Sequence, residues 1–134
     1  MYDYRNVAAC AAGLAVAAAF KEDNILANVE QRGEQLRSLA RALQAKNPQL
    51  IKDVRGWGLI NGIELADECS VTAADVTAAL MNAGVLVVPA GPKVIRFVPP
   101  LIISEREVNV VMERLSVALD VLSASTASQA VVKV

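Results

Sequence analysis

Residues 85–104 read VLVVPAGPKVIRFVPPLIIS, two β-forming runs separated by Pro89-Ala90-Gly91-Pro92-Lys93 and closed by Pro99-Pro100. Valine, isoleucine and phenylalanine suit a pleated, half-buried surface. Val85 to Val88 and Val94 to Val98 are therefore expected as the two strands of a hairpin. Strand alternation sets Val94, Arg96 and Val98 on one face and Ile95 and Phe97 on the other. Arg96 is thus an arginine in the middle of an apolar strand, and a guanidinium buried there needs an anionic partner. Two readings stay open. Arg96 pairs internally with Glu64, a carboxylate inside another strand, or its planar fork of donors takes a ligand carboxylate through two parallel hydrogen bonds.

Outward from this stretch, Ser104 with Glu107 forms a capping-box pattern, with Ile103 and Val108 as a hydrophobic staple. The helix it opens carries Val108, Val111, Met112, Leu115, Leu119 and Leu122 on one face. Thr72 with Asp75 opens a shorter helix that Gly84 stops, with Val76, Leu80 and Ala83 inward. Before it, Ile51 to Arg55 and Leu59 to Leu65 read as extended pieces around Gly56-Trp57-Gly58. Those glycines suit a turn or bulge. A phosphate cradle would need a helix directly after it, and none is predicted there. Asp23 and Asn24 are placed to cap a helix to about Lys46, with Val29, Gly33, Leu36, Ala40 and Leu43 as its stripe. The order is helix, helix, strand, strand, helix, strand, strand, helix. It predicts an α+β fold, a small and mostly antiparallel sheet of three to four strands with helices on one face.

The run Val7 to Phe20, VAACAAGLAVAAAF, is too short for a bilayer span of about 20 residues, and its front end lacks the positive charge of a signal peptide. Apolar residues all round predict a helix buried on every side. From Ser123 to Val134 no helical period remains, so that stretch is expected as a loose tail after a domain at 1–122.

The chain has 134 residues, a net charge of −1 and no histidine. Near-neutrality without a basic run gives no reason to expect a nucleic-acid or anionic-membrane surface. Without histidine, a serine or cysteine nucleophile has no activating base and a hydrolase triad is excluded. Cys10 and Cys69 lack metal-site spacing, so no metal is expected; both read as reduced thiols of a cytoplasmic protein, Cys10 as a small buried hydrophobe. The lysines Lys21, Lys46, Lys52, Lys93 and Lys133 lie at helix ends, in a turn or in the tail. All are expected to be solvated rather than poised as Schiff-base nucleophiles.

Three patches together resemble the class III pyridoxal-phosphate aminotransferases, most of all their acetylornithine and ornithine branch. They are NVAACAAGLAV at Asn6 to Val16, IKDVRGWGLINGIEL at Ile51 to Leu65 and PAGPKVIRFVPPLIIS at Pro89 to Ser104. The resemblance implies the C-terminal small domain of a homodimeric two-domain enzyme of the fold type I class. In that family the arginine matching Arg96 grips a substrate carboxylate. The Schiff-base lysine, the acid at the pyridine nitrogen and the phosphate site belong to the large domain. By that resemblance this chain has a substrate-binding Arg96, no catalytic or cofactor-binding residue of its own, and pyridoxal 5′-phosphate only in the complete enzyme. Val7 stands where the family has proline, and Met1 to Arg5 replace its glycine- and threonine-containing approach to the cofactor phosphate. The chain is therefore expected to be a small domain inactive alone, with its first helix leading to a large domain.

Three functions follow as expectations. The first is part of an aminotransferase of arginine biosynthesis, moving an amino group from an acetylornithine-type donor to 2-oxoglutarate. The others are a free-standing module binding an amino acid or 2-oxo acid through Arg96, and a structural partner subunit of a split enzyme.

Overall fold

A computed structural model describes the backbone of residues 6–131 and the side chains of residues 6–124. The elements follow the predicted order: α1 (Val7–Glu22), α2 (Ile25–Lys46), β1 (Ile51–Trp57), β2 (Ile60–Leu65), α3 (Ala73–Asn82), β3 (Val88–Pro89), β4 (Val94–Phe97) and α4 (Glu105–Val131). The four strands form one open antiparallel sheet in the order β1-β2-β4-β3. Helices α2, α3 and α4 pack together over one face of it. Their apolar stripes meet Ile51, Val54, Ile63, Leu65, Ile95 and Phe97 in a single core.

Local chemistry sets the element ends. Thr72 and Asp75 make both hydrogen bonds of a capping box at α3. Ser104 and Glu107 do the same for α4, the Glu107 carboxylate accepting from the Ser104 N–H at 2.8 Å. Gly84, with φ of 76°, follows the α3 C-cap as the expected stop. Asn24, by contrast, takes a left-handed conformation with no side-chain cap bond. The turn reading holds at Gly58, whereas Gly56 and Trp57, expected between the strands, are paired residues of β1. Gly58 has φ of 53° in the two-residue link between paired Trp57 and Ile60.

Helix α2 docks on that link through two glycines. A Cβ on Gly33 would sit 2.1 Å from the Gly58 carbonyl oxygen. Beside this contact Arg37 Nη1 donates to the Gly58 oxygen at 3.1 Å and to Asn61 Oδ1 at 3.0 Å. Asn61 Nδ2 closes the set on the same Gly58 oxygen at 3.0 Å. The one buried polar residue of the described core is thereby satisfied.

Two expectations give way. Helix α1 has no buried residue, and Cys10 within it is exposed. A two-layer domain offers one inner face, already filled by α2, α3 and α4, and α1 packs against α2 outside it. Helix α4 runs on to Val131, through what was expected as a loose tail from Ser123; residues 132–134 lie outside the described residues. An apolar period is needed to pack a helix, whereas extending one adds a backbone bond for each residue fixed.

Replacing Gly33 by alanine in an open helix would gain about 1 kcal/mol. Here the methyl group meets backbone, and overpacking of this kind costs about 1–3 kcal/mol. Urea unfolding of Gly33→Ala is expected to show a net loss of stability; a gain would contradict the glycine-to-glycine contact.

Candidate functional site

Ile95 and Phe97 are buried against the helices, so β4 alternation turns Arg96 to the sheet face that no helix covers. Arg96 is exposed, which corrects the expectation of a buried guanidinium. Its carbons lie on an apolar strand while its charge stays hydrated. In the sheet register it stands between Gly62 of β2 and Val88 of β3. Gly62 in turn pairs with Arg55 of β1. The row across the uncovered face is therefore Arg55, Gly62, Arg96 and Val88, with no side chain between the two arginines.

On one side of this row Asp53 pairs with Glu64, and Glu64 with Val94. On the other side Trp57 pairs with Ile60, and alternation brings Val98 to the same face. These three are 90%, 63% and 56% exposed, far more apolar surface than strands with a packed face would leave.

Glu64 does not pair with Arg96. Its Oε2 accepts from Arg55 Nη1 at 2.5 Å, and its Oε1 lies 3.1 Å from Lys52 Nζ. Arg55 Nη1 also reaches Asp53 Oδ2 at 2.7 Å, and Lys52 Nζ reaches Asp67 Oδ2 at 2.8 Å. A β-bulge between Ile51 and Asp53 accompanies this cluster, in which the neighbours Lys52 and Asp53 both take part. Among the described residues Arg96 has no ion pair. Hydrogen bonds from Arg55 first, and then from Lys52, hold the Glu64 carboxyl below the usual carboxylate range. A hydrogen bond from Lys52 does the same for Asp67. The partners of Glu64 were missed from sequence because the signal lies in the strand register, which brings Arg55 beside Glu64 only once Trp57 and Ile60 are paired.

The lysines are mostly as expected. Lys21 and Lys46 are exposed and Lys52 is tied to its two carboxylates; Lys133 lies outside the described residues. Lys93 departs from expectation. It is half-buried, and its ammonium donates to the carbonyl oxygens of Cys69 and Val71. That role ties the hairpin to the loop before α3. No described lysine is thus both buried and free of partners, the setting that a Schiff-base lysine for pyridoxal phosphate needs. Among the described residues no group of three or more His, Cys, Asp and Glu could hold a metal ion, and no helix is long and apolar enough to cross a membrane. A shallow groove of about 770 Å³ between Gly84, Leu86, Pro99, Ile102, Arg106 and Arg114 does not include Arg96 in its lining.

The profile of the family "Aminotransferase class-III" matches residues 4–119. The acetylornithine aminotransferase of Nostoc sp. is 55% identical over 119 residues, which is 89% of this chain and 28% of that protein. The acetylornithine aminotransferase of Synechocystis sp. is 49% identical over 87% of this chain and 27% of its own length. The chain thus spans little more than a quarter of these curated relatives. Among solved structures, the ornithine aminotransferase from Toxoplasma gondii superposes with a TM-score of 0.79 at 27% identity, over 87% of this chain and 28% of that one. The lysine aminotransferase from M. tuberculosis in the internal aldimine form gives 0.72 at 28% identity, over 80% of this chain and 24% of that one.

The charge cluster on β1 and β2 sets a pH dependence. Carboxylates held below their ordinary values stabilise the fold above about pH 4, where both folded and unfolded forms are ionised, and that contribution fades as pH falls through the lowered folded values. Denaturant titrations from pH 6 to pH 2 should show a shallower acid decline for Glu64→Gln than for the unmodified chain. Identical acid slopes would mean that the Glu64 contacts contribute nothing in solution.

Proposed function

The chain belongs to the class III aminotransferases, and we propose that residues 1–122 are the small domain of such an enzyme, presenting Arg96 to a substrate carboxylate. The observation that carries this reading is an arginine fork on the uncovered sheet face, with no ion pair among the described residues and an empty position at Gly62 beside it. A free guanidinium of this kind suits a planar carboxylate, which accepts two parallel charge-assisted hydrogen bonds. The apolar row of Trp57, Ile60 and Val98 beside it would exclude water once another surface closes over the face, and exclusion of water strengthens that contact.

The reaction proposed is transfer of an amino group from an acetylornithine-type donor to 2-oxoglutarate, as part of arginine biosynthesis in the cytoplasm. The names and identities of the relatives support the donor. Pyridoxal 5′-phosphate would be held by the remainder of a longer, homodimeric enzyme, since the lysines described here do not suit it. No catalytic residue is assigned within this chain. Its part is to bind and orient the substrate. Helix α1, exposed on nearly every side, would pack on that remainder, and this supports reading the chain as one domain of a larger enzyme rather than a free-standing module.

The test is Arg96→Lys in the assembled enzyme. It keeps the charge and loses the fork, at a cost of about 1.5–3 kcal/mol for a charge-assisted bond. The expected result is a fall in kcat/KM of roughly ten- to a hundred-fold, with the melting temperature nearly unchanged because the side chain is exposed. An unchanged kcat/KM for the dicarboxylate substrate would remove Arg96 from the binding role.

A further inference from the structure

We propose that Lys52 and Arg55 are positioning residues, which hold Glu64 on the β1 side of the sheet and so keep the Arg96 guanidinium open to a dicarboxylate substrate. The inference rests on the carboxylate-binding reading of Arg96 and adds the device that keeps it available.

Glu64 faces Val94 and Gly62 faces Arg96, so Glu64 and Arg96 are diagonal neighbours on one face of adjacent strands. Such neighbours lie about 7–8 Å apart, within reach of long side chains. The residue directly opposite Arg96 on β2 is a glycine, so no side chain there screens one from the other. A carboxylate tethered at that range competes with any dissolved substrate, because its effective concentration is set by the fold rather than by supply. The internal pair nevertheless does not form. Both Glu64 oxygens are engaged by β1 cations, Oε2 by Arg55 Nη1 at 2.5 Å and Oε1 by Lys52 Nζ at 3.1 Å. The remaining anions of the cluster, Asp53 and Asp67, are bound by the same two cations. Arg55 and Lys52 therefore draw the acidic charge away from β4.

The test follows the Arg96 Nε–Hε resonance in the 134-residue chain by NMR, in three forms: unmodified, Lys52→Met/Arg55→Met, and that double variant with Glu64→Gln added. Without ligand, the double variant should shift this resonance and slow guanidinium rotation, as Glu64 swings across to Arg96. Adding Glu64→Gln should return it to its original position. A resonance that stays put in the double variant, or that Glu64→Gln does not restore, would overturn the positioning role. Each single variant should move it part of the way, which decides the matter if the double variant does not fold. Glutarate is then titrated as the dicarboxylate probe. Its apparent affinity at Arg96 should fall by up to about fivefold in the double variant, the range of an exposed ion pair, and recover with Glu64→Gln. An Arg96 resonance in the unmodified chain that ignores glutarate would instead overturn the carboxylate reading itself, while the ligand-free shifts still judge where Glu64 goes.

Discussion

A sheet clad by helices on one face makes strand alternation decide which residues can meet a ligand. Ile95 and Phe97 belong to the core beneath α2, α3 and α4, and the residue between them has no choice but to face outward. Arg96 is that residue. Its neighbours in the row, Arg55, Gly62 and Val88, follow from the register of four antiparallel strands. The register in turn depends on the link between β1 and β2, where Gly58 meets Gly33 of α2 and Arg37 and Asn61 bind the same carbonyl oxygen. A slip of one residue there would exchange the two faces of β2.

Electrostatics then divides the open face. Asp53, Glu64 and Asp67 share two cations on β1, while Arg96 on β4 has none of them. Trp57, Ile60 and Val98 form an apolar strip on the other side of the arginine row. The face is thus ordered as acid, arginine and apolar strip, and the exposed apolar strip is of the kind that marks a contact surface. The nearly naked helix α1 makes the same point about packing: this domain has more apolar surface than it can bury by itself.

Much of the fold was legible in the sequence because it is written in local chemistry. The capping boxes at Thr72 and Ser104, the stripe from Gly33 to Leu43 and the stop at Gly84 each need only a few neighbouring residues to be read. The features that were misread depend on what lies across the fold. Residues apolar all round suggested that Val7 to Phe20 would be buried, but the inner face was already full. The stretch after Ser123 lacks an apolar period, yet a helix can continue without one. Lys93 in a turn looked solvated, and only the fold brings the carbonyls of Cys69 and Val71 to it. At the site, Arg96 could be picked out by its setting among β-formers and by family resemblance. Whether Glu64 pairs with Arg96 could not be read without the register that gives Glu64 to Arg55 and Lys52.

If Arg96 is held open for a substrate carboxylate, as proposed, a crystal structure of the assembled aminotransferase with bound glutarate should display it. Two glutarate oxygens are expected within hydrogen-bonding distance, about 2.7–2.9 Å, of the Arg96 guanidinium, with Glu64 still on Arg55 and Lys52. Glutarate bound elsewhere, with Arg96 paired to a protein carboxylate, would contradict it.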